Sequence, residues 1–236
     1  MKDQSEIFGD DLFEPKENFA FDNSQSYYSI PDAEGGTLFM EKDDDYGLCC
    51  DAKSLEELNQ CMHDCHKCPL EKLRTKLVFG KGDPNAHIMV IGEAPGADED
   101  KLGEPFVGRA GKLLTDILNA IHFTREEVYI TNVVKCRPPG NRNPLPDEMK
   151  RCSPYLLRQI ELIKPKLILC LGLISASGVL NLKQTLSKMR GNIYELGNAK
   201  VMVTYHPAAL LRNPNWKKGA WEDVQKFRKL YDEIVK

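Results

Sequence analysis

Four short apolar segments divide the chain, and patterns with helical spacing lie between and after them. The apolar segments are residues 88–91, 128–134, 167–171 and 201–205. The helical patterns are residues 112–121, 147–163, 173–180 and 221–235. Unbroken apolar runs are typical of strands that are covered on both faces, and strands that alternate with helices favour a parallel sheet. The pattern therefore predicts an α/β fold, a three-layer α/β/α sandwich around a central four-stranded parallel sheet.

Polar residues gather where these predicted strands end. The first strand leads into the turn GEAPG at residues 92–96, the second reaches Asn132, and the fourth ends at His206. In parallel α/β sheets, ligands bind outside the carboxyl ends of the strands. Gly92 and Gly96 allow the backbone of the turn to approach a ligand closely. We therefore expect the turn, Asn132 and His206 to line one site.

The first 53 residues differ from the rest of the chain in charge. They hold 14 acidic residues against 4 lysines, a net charge of −10, whereas residues 54–236 carry +7. A polar, acidic composition without helical or strand period predicts a disordered extension over residues 1–53. It could be an inert tail, a partner-binding arm or an acidic mimic of nucleic acid. Residues 54–236 are predicted to form one domain, whose positive charge suits a polyanion or is ordinary solvated charge.

Four of the eight cysteines are spaced like the ligands of a metal centre. Cys65 and Cys68 form a CxxC pair, Cys136 follows Cys68 by 68 residues, and Cys152 follows Cys136 by 16. Four thiolates suit either Zn²⁺ or a [4Fe–4S] cluster, and buried structural thiols are the simpler alternative. Cys61 extends the pair to C-x3-C-x2-C, the pattern of radical enzymes that use S-adenosylmethionine. The long barrel of those enzymes does not fit four predicted strands.

Composition also limits the compartment. The chain has 236 residues, 42% of them hydrophobic, which is enough for one substantial core. No apolar run is long enough to cross a membrane, and the first 11 residues do not resemble a signal peptide. A cytoplasmic protein is therefore expected. In a reducing compartment disulfides are not expected, and Cys49, Cys50 and Cys170 are predicted to be uninvolved.

Two further segments are suited to contact with a polyanion. Residues 137–151, RPPGNRNPLPDEMKR, form a proline-rich basic loop that could lie along a nucleic-acid backbone or be a rigid solvent loop. In HPAALLRNP, Leu210 and Leu211 form an apolar wedge beside Arg212, a candidate phosphate contact. The position of His206 opposite the GEAPG turn favours a functional role over that of a core histidine.

Together these motifs resemble those of the family 4 uracil-DNA glycosylases, the iron–sulfur branch of their superfamily. The resemblance covers residues 58–235 and rests on GEAPGADED with PFVGRAG, on YITNVVKCRPPGNRNPLPDE, on HPAALLRNP and on the four cysteines. It implies a uracil-DNA glycosylase-like fold and a structural [4Fe–4S] cluster held by Cys65, Cys68, Cys136 and Cys152. It also implies a monofunctional hydrolase that flips deoxyuridine out of DNA, leaves an abasic site and initiates base excision repair.

The resemblance further implies a role for each residue near the pocket. Phe106 stacks on uracil, Asn132 hydrogen-bonds its Watson–Crick edge, and His206 hydrogen-bonds O2 as negative charge develops on the departing base. The implied substrate-binding set is Gly92, Ala94, Gly96, Phe106 and Asn132. The implied catalytic set is Glu93, Glu99, Asn141 and His206. The implied DNA-binding set is Arg137, Arg142, Leu210, Leu211 and Arg212, in which one leucine fills the gap left by the flipped base.

Ala94 marks a departure from the wider superfamily. The best-known branch has a water-activating aspartate at this position, so general-base catalysis from residue 94 is excluded here. Either Glu93 or Glu99 orients the water, or the bond breaks by a largely dissociative route with little assistance from a base. The same branch has a tyrosine that excludes thymine where this chain has Gly96, so the sequence does not reveal how thymine is rejected.

Two hypotheses from other classes of protein fit the sequence less well. A covalent uracil-DNA binder needs a histidine in the loop at residues 137–151, and that loop has none. A nucleotide-binding redox protein needs a phosphate-binding loop, and GEAPG matches neither GxGxxG nor a Walker sequence. The expected partners are uracil-containing DNA and downstream abasic-site repair enzymes, without a membrane and with a monomer as the default state.

Overall fold

The N-terminal part of the chain falls largely outside what the structure describes. The structure is a computed structural model, and it describes Cys49 and residues 51–235. The predicted disorder of residues 1–53 therefore concerns mainly residues outside this range. Cys49 and Ala52 are buried, so the described end of that segment packs on the domain. Cys49 forms a disulfide with Cys61, and the expectation that disulfides are absent and Cys49 is uninvolved is wrong for this pair.

Six strands form one mixed sheet. They are β1 (Lys81–Gly82), β2 (Ile88–Gly92), β3 (Val128–Asn132), β4 (Leu167–Leu171), β5 (Ile193–Leu196) and β6 (Ala199–Thr204). Their order is β1-β3-β2-β4-β6-β5. The four central strands are parallel, as predicted, and β1 and β5 pair with the edges in the antiparallel direction. The two edge strands were not predicted, because β1 has only two residues and β5 lacks a continuous apolar run.

Helices cover both faces of this sheet. In the described part of the chain they are α1 (Leu55–His63), α2 (Ala97–Leu102), α3 (Arg109–Ala120), α4 (Pro146–Ile163), α5 (Leu173–Leu180), α6 (Leu186–Met189), α7 (Pro207–Arg212) and α8 (Lys217–Val235). Short 3-10 turns lie at Pro69–Leu73, Pro139–Asn141 and Pro214–Trp216. The four predicted helices correspond to α3, α4, α5 and α8. None of the helices within residues 51–235 has the length and apolar character to cross a membrane.

The alternation of side chains along the strands builds the three layers. In β2, Ile88 and Val90 belong to one apolar cluster, and Met89 and Ile91 belong to the other. Helices α3 and α8 contribute to the first cluster, and α1, α4 and α5 contribute to the second. The α/β/α sandwich is therefore confirmed. Because the four central strands are parallel, their carboxyl ends meet at one edge of the sheet, where the residues that follow them can form a site.

Candidate active site and cysteine cavity

A pocket of about 320 Å³ opens at the carboxyl ends of the parallel strands. Segments that follow β2, β3 and β6 form its wall, together with the loop before α4. The wall brings together these sequence-predicted residues: Glu93, Ala94, Gly96, Glu99, Phe106, Asn132, Asn141, Arg142, His206 and Arg212. Positions far apart in the sequence thus meet in one pocket, because the parallel strands end at the same edge.

Asn132, the last residue of β3, has an unusual hydrogen-bonding state. Its side chain is buried, and Oδ1 has no hydrogen-bond partner among the described residues. Its backbone carbonyl accepts a hydrogen bond from the Lys135 ammonium at 2.7 Å. An unpaired polar atom in the interior costs roughly 1–3 kcal/mol. Such an atom in a pocket wall is typical of a site that receives a ligand with a matching donor.

The backbone brings Phe106 close to Asn132 with the help of two glycines. Phe106 adopts a left-handed conformation with φ of 54°, which is rare for a residue with a side chain. A Cβ on Gly111 would overlap the carbonyl oxygen of Phe106. A Cβ on Gly92 would overlap Asn132 Oδ1 and the Phe106 ring. Gly92 therefore lies directly behind the two side chains, and its role is to let them approach each other.

His206 lines the pocket, and its hydrogen bond defines which ring nitrogen carries the proton. It precedes α7, and its Nδ1 accepts a hydrogen bond from the backbone N–H of Ala208 at 3.1 Å. Nδ1 must be unprotonated to accept, so in the neutral ring the proton is on Nε2. Burial, with a smaller contribution from the positive charge of Arg212, lowers the pKa of His206 to about 4. The ring is therefore neutral at neutral pH, and its centroid lies 5.6 Å from that of Phe106.

Glu99 connects two segments of the pocket wall. Its Oε2 accepts a hydrogen bond from the backbone N–H of Gly96 at 3.1 Å. Its Oε1 accepts hydrogen bonds from the N–H groups of Val107 and Gly108, each at 2.9 Å. Both carboxylate oxygens are thus engaged by the main chain. This arrangement fixes the GEAPG turn against the segment that carries Phe106, a geometry that fits a positioning role for Glu99 better than that of a base.

Glu93 is in a different environment from Glu99. Burial raises the pKa of Glu93, and the positive charge of Arg212 offsets part of this effect. Arg212 lines the same pocket as Glu93 and His206, and its positive charge lowers the pKa of both groups. Ala94 presents only a methyl group in the same wall. Glu99 and Glu93 are the two acidic candidates for orienting water. The carboxylate of Glu99 is engaged by main-chain N–H groups, so Glu93, which also lines the pocket, fits this role better.

Arg137 and Arg142, the two arginines of the basic loop that were assigned to DNA, both have partners within residues 137–151. Arg137 Nε donates to Asn141 Oδ1 at 2.7 Å. Arg142 donates to both carboxylate oxygens of the buried Glu148, at 2.9 and 2.7 Å, and this pairing lowers the pKa of Glu148. A bidentate pair of this kind fixes geometry as well as charge. The loop is therefore braced at the edge of the pocket, and contact of either arginine with phosphate stays a prediction.

The two leucines of α7 have opposite environments. Leu210 is 1% exposed and belongs to the core, whereas Leu211 is 40% exposed. A core side chain is not available to fill a gap in DNA, so the assignment of Leu210 to DNA binding is corrected. Leu211 is the one of the pair that this role fits.

Cysteine thiols line a second cavity. It brings together all four predicted ligands: Cys65, Cys68, Cys136 and Cys152. The Tyr155 hydroxyl donates to Cys65 Sγ at 3.3 Å, and Arg74 Nη1 donates to Cys136 Sγ at 3.4 Å. Donors of this kind are typical partners of sulfur that ligates a metal or a cluster. The donor set therefore fits a thiolate-bound metal centre.

Lys135 was missed in the sequence and lies between these two sites. Its ammonium is fully buried and donates to Thr131 Oγ1 at 2.5 Å, Asn132 O at 2.7 Å and Gln159 Oε1 at 2.6 Å. All three N–H groups are thus satisfied, which a buried lysine requires. A lysine that ends an apolar run, next to Cys136, was the available signal.

The fold and the pocket define a class of protein. It is a three-layer α/β protein with a pocket at the strand ends that is lined by the buried amide of Asn132 and the imidazole of His206. The family model of the uracil DNA glycosylase superfamily matches residues 79–225, a range that contains all six strands and the pocket. A type-4 uracil-DNA glycosylase of Archaeoglobus fulgidus is 46% identical over 186 residues, which are 75% of this chain and 94% of the relative. The chain therefore belongs to the type-4 uracil-DNA glycosylases of this superfamily.

Other relatives agree with this placement. A type-4 uracil-DNA glycosylase of Saccharolobus solfataricus is 50% identical over 173 residues, covering 70% of this chain and 80% of the relative. A type-5 uracil-DNA glycosylase of Pyrobaculum aerophilum is 31% identical over 164 residues, covering 60% of this chain and 72% of the relative. The family resemblance inferred from the motifs is thus confirmed.

Proposed function

We propose that the protein is a uracil-DNA glycosylase that hydrolyses the N-glycosidic bond of deoxyuridine in DNA and leaves an abasic site. The observation that carries the proposal is the buried, unpartnered Oδ1 of Asn132 in the pocket. Uracil presents an N3–H donor beside the O4 acceptor, and one carboxamide matches both with its oxygen and its NH₂ group. The names of the relatives, uracil-DNA glycosylases, support the same substrate.

The pocket accepts the base after the nucleotide has been flipped out of the DNA. A base inside a duplex is out of reach of an enzyme, so glycosylases extrude it into a pocket and stack it against an apolar side chain. Phe106 provides that face next to Asn132. Gly92 behind both residues allows the aromatic ring and the amide to contact the same base. Leu211 is the side chain that would fill the vacated position in the DNA.

His206 stabilises the departing base. As the glycosidic bond lengthens, negative charge develops on uracil, and the Nε2–H of a neutral His206 donates to O2. Because the pKa of His206 is lowered to about 4, the donor is a neutral imidazole at neutral pH. A preorganised donor in a water-poor site contributes on the order of 100- to 1000-fold to the rate.

The acidic turn at residues 92–96 is proposed to act on the sugar and on the attacking water. Ala94 offers no base, so the bond breaks by a largely dissociative route, and the water is oriented after an oxocarbenium-like sugar has begun to form. Glu93 lines the pocket, and its proposed role is to orient this water and to offset the positive charge of the sugar. Glu99 holds the surrounding segments in place by accepting hydrogen bonds from main-chain N–H groups. Asn141 does so by accepting a hydrogen bond from Arg137. No lysine is assigned as a covalent nucleophile, so strand cleavage is not expected.

We infer that the cysteine cavity holds a [4Fe–4S] cluster. The proposal is supported by the four thiols that line one cavity and by the hydrogen bonds that Cys65 and Cys136 receive there. Four cysteine thiolates are the usual ligand set of a [4Fe–4S] cluster. A bound cluster would link the segment that follows α1, which carries Cys65 and Cys68, to Cys136 after β3 and to Cys152 in α4. Its proposed role is structural.

The cellular role follows from the reaction. An abasic site must be processed by further repair enzymes, so the protein is proposed to initiate base excision repair. A cytoplasmic location and a monomeric state are proposed separately, as expected from the sequence. Both single-stranded and double-stranded DNA are proposed as substrates, since the pocket receives a base only after it has been flipped.

The test is excision from an oligonucleotide that carries a single uracil, offered as a single strand and as a duplex. We expect alkali-labile abasic sites with the wild type and greatly reduced formation with Asn132→Ala and His206→Ala. Absence of abasic sites from both substrates would overturn the proposal. A protein–DNA band that survives a denaturing gel would instead support a covalent binder. Unchanged activity in both variants would contradict the assignment of the pocket.

A further inference from the structure

Trp216 is an exposed aromatic residue at the end of a stack of rings. It keeps 42% of its surface exposed although it packs on the protein. Its indole stacks on the Tyr205 ring with centroids 5.0 Å apart and an angle of 17° between the planes. The guanidinium of Arg190 lies 3.9 Å from the centre of the Tyr205 ring. Tryptophan is enriched at interaction surfaces, because it combines a large apolar face with a polar N–H group.

The base of this stack is held rigidly. Arg190 donates from Nε to Asp223 at 2.8 Å and from Nη1 to the Tyr205 hydroxyl at 2.7 Å. Asp223 also accepts a hydrogen bond from Thr204 Oγ1 at 2.6 Å. Arg190 thus fixes the Tyr205 ring by a cation–π contact and a hydrogen bond, and the ion pair with Asp223 fixes Arg190 itself. A ring that is already ordered loses little conformational entropy when a ligand stacks on it.

The stack adjoins the proposed active site. Tyr205 directly precedes His206, and Trp216 lies in the turn that follows α7, the helix that carries Leu211 and Arg212. The segment from residue 205 to 219 contains Arg212, Lys217 and Lys218 and no acidic residue. An exposed aromatic ring among cations, next to a pocket for a flipped base, fits a nucleic-acid strand that continues past this pocket.

We propose that Trp216 is a stacking platform for an unpaired base of single-stranded DNA, on the strand that carries the flipped nucleotide. The inference rests on the proposed function and extends it, because it names a preference for single-stranded substrate. In a duplex the faces of the bases are covered by their neighbours, whereas each base of a single strand offers a free face. Arg212, Lys217 and Lys218 then hold the phosphates of the same strand.

The test measures binding of a uracil-free thymine strand of about 12 nucleotides, within the site sizes common for single-strand binders. We expect the strand to quench the tryptophan emission of the wild type. Trp216→Ala should bind the strand about 5- to 100-fold more weakly, as the loss of one base–aromatic stack predicts. Trp216→Phe retains a ring and should bind within about threefold of the wild type, while most of the quenching disappears.

The quenching can be assigned because the chain has two tryptophans. Trp221 is 5% exposed, so the difference between the wild type and Trp216→Phe reports on Trp216. Binding of a matched duplex should change less than about twofold in both variants, since its base faces are covered. An equal loss of affinity for the duplex would overturn the preference for single strands.

Other outcomes separate this inference from the proposed function. If Trp216→Ala binds the single strand as the wild type does while its melting temperature falls, Trp216 only covers Tyr205 and the inference is overturned. That result leaves uracil excision unaffected. If instead the uracil-free strand quenches Trp216 but no uracil is excised by the wild type, the stacking platform is supported and the proposed function fails. The use of uracil-free DNA makes the two results independent.

Discussion

The base pocket and the cysteine cavity differ in how their polar atoms are satisfied. In the pocket, Asn132 Oδ1 lacks a partner in the described structure, and the wall is open to a base. In the cavity, Cys65 and Cys136 already receive hydrogen bonds from Tyr155 and Arg74. A site for a transient ligand keeps an atom unpaired until the ligand supplies the partner, whereas a site for a permanent group supports its ligands from behind.

The two sites nevertheless share one segment of the chain. Asn132 ends β3, and Cys136 follows four residues later. Lys135 lies between them and donates to the carbonyl of Asn132. The position of the base reader is thus tied to the loop that the proposed cluster would anchor. Substitutions in each site, and in the connection between them, test whether stability and chemistry can be separated.

The largest effect is expected from Cys136→Ala. Loss of one ligand should abolish the visible charge-transfer absorption of the cluster and lower the free energy of unfolding by about 4 kcal/mol or more, as the loss of a structural metal does. Absorption spectra and denaturant unfolding of the purified protein measure both. Cys170→Ala is the matched control, because Cys170 is buried in β4 outside the cavity. Full absorption in Cys136→Ala would contradict the ligand set.

His206→Ala should have the second largest effect, on rate rather than on folding. Removal of the proposed donor should lower the excision rate about 100- to 1000-fold, equivalent to about 2.7–4 kcal/mol. Single-turnover excision of uracil measures this loss. His206→Asn is the control, since asparagine can cap α7 as His206 does but lacks a donor at the position of Nε2. If His206→Asn excises uracil at the wild-type rate, His206 contributes only to the fold.

The same contrast explains which parts of the site the sequence could predict. The strand-end rule located Asn132 and His206, because their position depends only on where apolar runs stop. The exposure of Leu211 rather than Leu210 depends on the rotation of a six-residue helix, which no local pattern defines. Glu99 was indistinguishable from Glu93 as an acid in one turn. Only the fold reveals that main-chain N–H groups engage both of its oxygens.

Contacts between distant segments account for what the sequence left out. The two-residue strand β1 forms only because β3 presents an edge to it. The pairing of Arg142 with Glu148 was also not predicted, because no local pattern indicates it, and contact of Arg142 with phosphate stays a prediction. The disulfide between Cys49 and Cys61 was excluded by an argument about the compartment, and the geometry overrides it. Pattern rules thus predict elements, while the use of each polar group is decided by tertiary packing.

Lys135→Met tests the connection between the two sites. Methionine fills similar space but leaves the carbonyl of Asn132 and Gln159 Oε1 without their donor, at a cost of about 1–3 kcal/mol in the free energy of unfolding. Both the excision rate and the visible absorption should decrease, each by less than in the dedicated variants. Lys183→Met, at an exposed position, is the control. A loss of absorption without any change in excision rate would show that the two sites are not coupled through Lys135.

The smallest expected effect is a pH dependence that belongs to the pocket alone. The pKa of His206 is lowered from 6.5 to about 4 in the fold, so between these values the unfolded chain binds a proton that the folded protein does not. The free energy of unfolding should therefore decrease as the pH falls from 6.5 towards 4.

Between pH 7 and pH 5 we expect the wild type to lose on the order of 1 kcal/mol relative to His206→Asn. Urea unfolding of both proteins at the two pH values measures this difference. If the wild type instead gains stability relative to His206→Asn between pH 7 and pH 5, His206 is charged in the folded protein, which is incompatible with a neutral donor to uracil.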